Sequence, residues 1–278
     1  MIFNSPLITA EELADALVIH DIILLDCTID KVGASLKDKK LELIPNSLFF
    51  DIEGKLSDKS SKLPHTLISP IVFEEEMRRL GLNQDSTIVL YDRWGVYSSP
   101  RAWWMFNVMG FENVYILDGG LPLWKKCKYP ISNSYVNPTS VGNFRASFNE
   151  NWYADKDFIL DHYKDNDIAI FDARSKGRFT GLVPEPRKGL KGGHIPHSKN
   201  LPFEELLANE KFLDIKEIKT IYDNISLGNQ EHVFSCGSGV TASILAFASH
   251  LIGTKNIRVY DGSWSEWGIE ELNLPREL

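Results

Sequence analysis

The sequence predicts an α/β protein made of two tandem copies of one unit, each a mainly parallel sheet flanked by helices. Three observations carry this. Short β-rich runs alternate with helical patterns, which is the signature of strands laid parallel under crossover helices. Landmarks recur in register: Asp26 to Asp92 spans 66 residues and Asp172 to Cys236 spans 64, then Asp92 to Asp118 spans 26 and Cys236 to Asp261 spans 25. Between the copies, residues 128–148 have a linker composition with Pro130, Pro138, Gly142 and several Ser and Asn.

Taken in order, the first copy (1–127) opens with a helix start at Thr9-x-x-Glu12. A strand at Leu24-Leu25-Asp26-Cys27 and a second helix start at Ser69-Pro70 follow. The strand Ile88 to Asp92 runs through a loop at Arg93 to Ser98 into a helix that ends at Gly110. A strand from Val114 and an aromatic segment, Leu121 to Trp124, close the copy. The second copy (149–278) repeats the series. Its strand Ile170 to Ala173 matches Leu24 to Cys27, and His232 to Cys236 matches Ile88 to Asp92. A loop from Gly237 to Val240, a helix ending at Gly253, a strand from Ile257 and the segment Trp264 to Trp267 complete it. In sheets of this class ligands sit beyond the carboxyl ends of strands, so Asp92 and Cys236 mark corresponding candidate sites.

Composition narrows the function. A formal net charge of −8 over 278 residues argues against a nucleic-acid surface. A small anionic substrate remains possible, since it needs only local arginines. The apolar runs are too short to cross a bilayer, and the N-terminus lacks the pattern of a secretory signal. Cys27, Cys127 and Cys236 are widely separated with no CxxC spacing, so neither a disulfide framework nor a metal site is expected. A reducing cytoplasm suits three free thiols.

The chemistry concentrates at Ser235-Cys236-Gly237-Ser238-Gly239-Val240-Thr241. A thiol at a strand end precedes two glycines and a helix start. The glycines let the backbone amides of 237–241 curl into an anion-binding nest, and the helix adds its positive end. Such a setting favours the nucleophilic thiolate. At the equivalent place the first copy has Asp92, which cannot act as a thiol, so that copy is expected to be catalytically silent. A phosphatase reading needs an arginine six residues after the cysteine, and position 242 is Ala.

The loop C-G-S-G-V-T-A resembles that of 3-mercaptopyruvate sulfurtransferases in the rhodanese superfamily. Asp172-Ala173-Arg174, Arg178-Phe179, Pro184-Glu185-Pro186-Arg187, Gly193-His194-Ile195-Pro196 and Asp261-Gly262-Ser263-Trp264 resemble the family too. The resemblance covers nearly the whole chain and implies two rhodanese-like domains, with Cys236 carrying a persulfide. It implies that Arg178 and Arg187 bind the keto-acid donor, which suits the planar, bidentate guanidinium. It further implies that His65 and Glu53, from the first copy, form a relay with Ser238. Arg174 and Asp172 are read as an internal pair and His194 as architectural. Thiosulfate-using relatives carry basic residues directly after the cysteine, whereas Gly237 and Ser238 stand here. A small anionic sulfur donor, an acceptor thiol such as a thioredoxin, and no metal or organic cofactor follow from the same resemblance. The rival readings are thiosulfate:cyanide sulfurtransfer and a persulfide carrier that turns over no small donor.

Overall fold

The computed structural model describes residues 2–226 and 230–278. Two compact units are present. The first comprises Met1–Asp58, Leu67–Asn149 and Asn209–Phe212, and the second Lys59–Thr66, Glu150–Ala208 and Leu213–Leu278.

In the first unit the chain forms β1 (Leu7–Ile8), α1 (Ala10–Ile19), β2 (Ile22–Asp26), β3 (Leu48–Phe49), α2 (Pro70–Arg79), β4 (Thr87–Tyr91), α3 (Ser99–Val108), β5 (Val114–Leu117) and α4 (Gly120–Lys126). The strands lie in the order β1-β5-β4-β2-β3, all parallel. Both anticipated helix starts are built: Thr9 and Glu12 make a reciprocal capping box on α1, and Ser69 caps α2 ahead of Pro70. Every residue of β4 and of α3 is buried. That burial explains why β4 reads as a nearly continuous apolar run rather than an alternating one.

The second unit contains β6 (Tyr153–Ala154), α5 (Lys156–His162), β7 (Ile168–Asp172), α6 (Lys176–Phe179) and β8 (Lys199–Asn200). The short strands β9 (Leu207–Ala208) and β10 (Lys211–Phe212) come next along the chain. After them stand α7 (Ile215–Ile225), β11 (Glu231–Ser235), α8 (Val240–Leu251), β12 (Ile257–Tyr260) and α9 (Ser263–Trp267). Its parallel sheet runs β6-β12-β11-β7-β8, the same topology as the first. Helix α8 packs on β11 and β12 as α3 packs on β4 and β5. Two α/β units of one topology, each a parallel sheet flanked by helices, are therefore the observed architecture.

Two segments depart from the sequence reading. Residues 128–148, read as a linker, pack on the first unit. Ser132 exchanges backbone hydrogen bonds with Leu43, the Gly142 N–H donates to Arg78 O, and the Phe144 N–H donates to Leu82 O. Phe144 is fully buried among Phe73, Phe106 and Phe111. The Pro- and Gly-rich composition supplies an extended chain, and one aromatic anchor fixes it. Residues 59–66, inside the span assigned to the first copy, belong to the second unit.

Candidate active site

Cys236 follows β11 and is buried. The loop beyond it is held from one side by α9. The Trp264 N–H donates to Cys236 O and the Ser265 N–H to Gly237 O, both at 2.9 Å, and Ser265 Oγ also donates to Gly237 O. In a trans peptide the N–H points opposite to its C=O. Pinning these two carbonyls toward α9 therefore turns the Gly237 and Ser238 amides away from α9. The Ser238 N–H reaches Cys236 Sγ at 3.4 Å.

Not every amide of the loop converges on the sulfur as expected from the sequence. The N–H groups of Cys236 and Gly239 both donate to Ser263 Oγ at 3.1 Å, and that hydroxyl donates to Tyr260 O. Gly239, at φ +77°, makes the left-handed turn into α8. Ser263 (φ +48°) is itself held in the left-handed region to serve this junction. The nest is narrower than the span 237–241, because Gly239 spends its donor on the scaffold. Val240 and Thr241 already form the first turn of α8.

The other two cysteines sit in settings hostile to a thiolate. Burial pushes the Cys27 thiol well up, and the carboxylates of Asp26 and Asp92 add to the effect. Cys127 is raised by its surroundings and by its hydrogen bond to Glu11.

Both substrate-binding candidates reach the loop. A β-carbon placed on Gly237 would stand 3.0 Å from Arg178 Nη2 and 3.8 Å from Arg187 Nη1. Two guanidinium groups thus converge on the residue next to the thiol. Arg187 Nη1 also lies 3.4 Å from Ser265 Oγ, the hydroxyl that holds the Gly237 carbonyl. Arg178 is gripped by Glu185, with Nη2 to Oε2 at 2.5 Å and Nε to Oε1 at 3.3 Å. The space that a basic side chain at 237 would enter is already occupied by Arg178. The internal pair is present: Arg174 binds Asp172 through Nε and Nη2, and its guanidinium lies 4.2 Å from the Trp264 ring centroid.

His65 belongs to segment 59–66 of the second unit, although its sequence position suggested the first. Its Nδ1 lies 3.0 Å from Ser238 Oγ. The backbone of His65 is left-handed, at φ +59°, an uncommon conformation for a residue with a β-carbon. Glu53 is exposed in the turn after β3, within the first unit. His194 donates through Nδ1 to Phe179 O and stacks on the Phe179 ring, contacts that suit an architectural role.

Ser263, Ser265 and Glu185 were not singled out by sequence reasoning. Their motifs were visible, but a serine that ties a loop to a distant turn leaves no periodic signal. Glu185 was hidden inside Pro184-Glu185-Pro186-Arg187 beside the arginine that drew attention.

A rhodanese-like domain model matches residues 9–127 and again 155–270. The chain belongs to the rhodanese-like family. It is 40% identical to a 3-mercaptopyruvate sulfurtransferase of Escherichia coli K12, over 84% of this chain and 83% of that one. With a mitochondrial thiosulfate/3-mercaptopyruvate sulfurtransferase of Arabidopsis thaliana it shares 34% identity, over 99% of this chain and 78% of the relative. Among solved structures, Saccharomyces cerevisiae Tum1 superposes with a TM-score of 0.85 at 32% identity, covering 94% of each chain. The 3-mercaptopyruvate sulfurtransferase SseA of E. coli gives 0.83 at 34% identity, covering 95% of this chain and all of that one.

Proposed function

We propose that this protein moves sulfur from 3-mercaptopyruvate, through a persulfide on Cys236, to a thiol or cyanide acceptor and releases pyruvate. The observation that carries the reading is the convergence of a backbone amide and two guanidinium groups on the loop of one buried cysteine. Arg178 and Arg187 bind the donor carboxylate and carbonyl, and the Cys236 thiolate attacks the donor sulfur. A new S–S bond forms as the C–S bond breaks, and its electron pair leaves as the enolate of pyruvate. The enolate takes a proton through Ser238, paired with His65, and becomes pyruvate. The Ser238 amide, and the Gly237 amide turned the same way, stabilise the persulfide anion. An acceptor thiolate, such as that of a thioredoxin, then attacks the outer sulfur, and the S–S bond breaks to regenerate the Cys236 thiolate. Free thiols at Cys27, Cys127 and Cys236 suit a reducing compartment such as the cytoplasm.

The test is steady-state pyruvate release from mercaptopyruvate, with mass spectrometry of the donor-treated protein. One added sulfur is expected on the wild type and none on Cys236→Ser. Arg178→Ala and Arg187→Ala should each lower kcat/KM by roughly 2–4 kcal/mol, the scale for losing a buried charged partner. An unchanged adduct in Cys236→Ser would overturn the assignment. Faster turnover of thiosulfate than of mercaptopyruvate would move the protein to the other donor class.

A further inference from the structure

Glu185 lies between the donor-binding arginines and the structural pair behind them. Its side chain is 2% exposed, and both of its oxygens are engaged. Oε1 accepts from Arg174 Nη1 at 2.7 Å, and Oε2 accepts from Arg178 Nη2 at 2.5 Å. Arg174 does not need it for charge balance, since its fully buried guanidinium already pairs with Asp172 at 2.5 Å. With Asp172 set against Arg174, and Glu185 against Arg178, Arg187 is the cation of this group that pairs with no carboxylate among the described residues. The five side chains sum to a single positive charge beside the Cys236 loop.

We propose that Glu185 sets the charge class of the donor: it cancels the charge of Arg178 while fixing that guanidinium for hydrogen bonding, and so favours a monoanionic keto acid over a dianion. This rests on the sulfurtransfer reading of the site. In a site screened from water, each unit of net charge separates a monoanion from a dianion far more than in bulk solvent. Discrimination of this kind works through what is withheld from the wrong ligand as much as through contacts to the right one. Glu185 accepts from Arg178 Nε and Nη2, and Nη2 and Nη1 stand 3.0 and 3.8 Å from the position of a β-carbon added at Gly237. Arg178 thus presents donors while contributing little net charge. A lysine in its place, or an arginine without Glu185, would bring a full cation to the same point.

The experiment compares kcat/KM for mercaptopyruvate and thiosulfate in the wild type, Glu185→Gln and Glu185→Asp. Glu185→Gln keeps the shape and removes the charge, so the thiosulfate-to-mercaptopyruvate ratio should rise on the order of 10-fold. In that variant the thiosulfate rate should also fall more steeply with added salt. Glu185→Asp keeps the charge and loosens the clamp, so both rates should drop while the ratio holds. Should Glu185→Gln fail to fold, Val183→Lys adds a cation at an exposed position of the same segment and should raise the ratio in the same direction. An unchanged ratio in a folded Glu185→Gln, or in Val183→Lys where that variant replaces it, overturns the role of Glu185 and leaves the sulfurtransfer reading standing. A ratio that shifts equally in Glu185→Asp makes Glu185 a positioning residue only, and also overturns the proposal. A wild type that uses neither donor overturns the sulfurtransfer reading and this inference together.

Discussion

The two copies solve the same loop differently. In the first unit the carboxylate of Asp92 lies at the end of β4 and accepts the N–H groups of Trp94, Tyr97, Ser98 and Ser99, together with the Ser99 hydroxyl, at 2.8–3.0 Å. In the second, Cys236 lies at the end of β11 and its sulfur accepts the Ser238 N–H. A strand end that opens through a tight loop into a helix is a receptor for negative charge. The first copy fills its receptor with its own side chain and the second meets it with a thiol. The first copy therefore shows what such a loop accepts, which is negative charge at the tip of the residue that follows the strand.

Exchanging stability for chemistry at these two positions gives the largest expected effects. Asp92→Ala leaves three buried N–H groups and the half-buried one of Trp94 without their acceptor and should cost about 4 kcal/mol of stability, measured by denaturant unfolding. Cys236→Ala should cost only about 1 kcal/mol and yet abolish sulfur loading. Equal destabilisation by the two substitutions would mean that the loops are not functional opposites.

The next difference lies one turn of the sheet away. Position 232 is His where the first copy has Ile88, and burial holds the His232 imidazole down at about 4, with Lys199 adding to the effect. Below its ordinary value of 6.5 the unfolded chain takes up a proton that the folded one refuses, so stability is complete above that pH. It is lost as pH falls toward 4, by about 3 kcal/mol in all. His232→Ile, which restores the residue of the first copy, should flatten the dependence of unfolding free energy on pH between 4 and 6.5. A slope unchanged in that variant would assign the acid sensitivity elsewhere.

The duplication was legible in the sequence because it rests on buried strands and glycine caps, which have local signatures. Cys236 stood out by its place between a strand and two glycines, and Arg178 and Arg187 by resemblance; the structure brings both guanidinium groups to the residue after the cysteine. Ser263 was not legible, because its role comes from a loop 27 and 24 positions away, and Glu185 was not, because its pairing with Arg174 and Arg178 within an irregular segment has no periodic signal. Residues 128–148 misled because their composition is that of a linker while one buried ring, Phe144, ties them down. His65 was found by resemblance, and its partner Ser238 confirms a contact over 173 positions that no spacing rule could supply.

That contact gives a third test, because the residue whose N–H reaches the Cys236 sulfur also brings its hydroxyl to an imidazole. His65→Ala should lower kcat on the order of 100-fold, and Ser238→Ala by a similar factor, at the low end of the range for lost proton transfer. The double variant should be little worse than either, since members of one relay are not additive. Full additivity would break the relay and leave the pair structural.

The smallest effect separates the residues directly after Asp92 and Cys236. Arg93 carries its long side chain back to Asp26, with Nε 3.3 Å from Oδ2, and its own N–H donates to Thr28 Oγ1. The first copy thus has room for a large residue there. Gly237 does not, because a β-carbon would meet Arg178 Nη2 at 3.0 Å. The obstacle is the end of a flexible side chain, so the fold can yield by a few tenths of an ångström. Arg178 cannot yield freely, since Glu185 holds it through two hydrogen bonds. Gly237→Ala should therefore leave unfolding within about 0.5 kcal/mol of the wild type and raise the donor KM about 5-fold by displacing one arginine. Arg93→Gly, the reciprocal change, should leave KM alone and weaken only the pairing with buried Asp26. If Gly237→Ala binds donor as the wild type does, Arg178 is not held where substrate needs it, and the difference between the two loops reduces to the thiol alone.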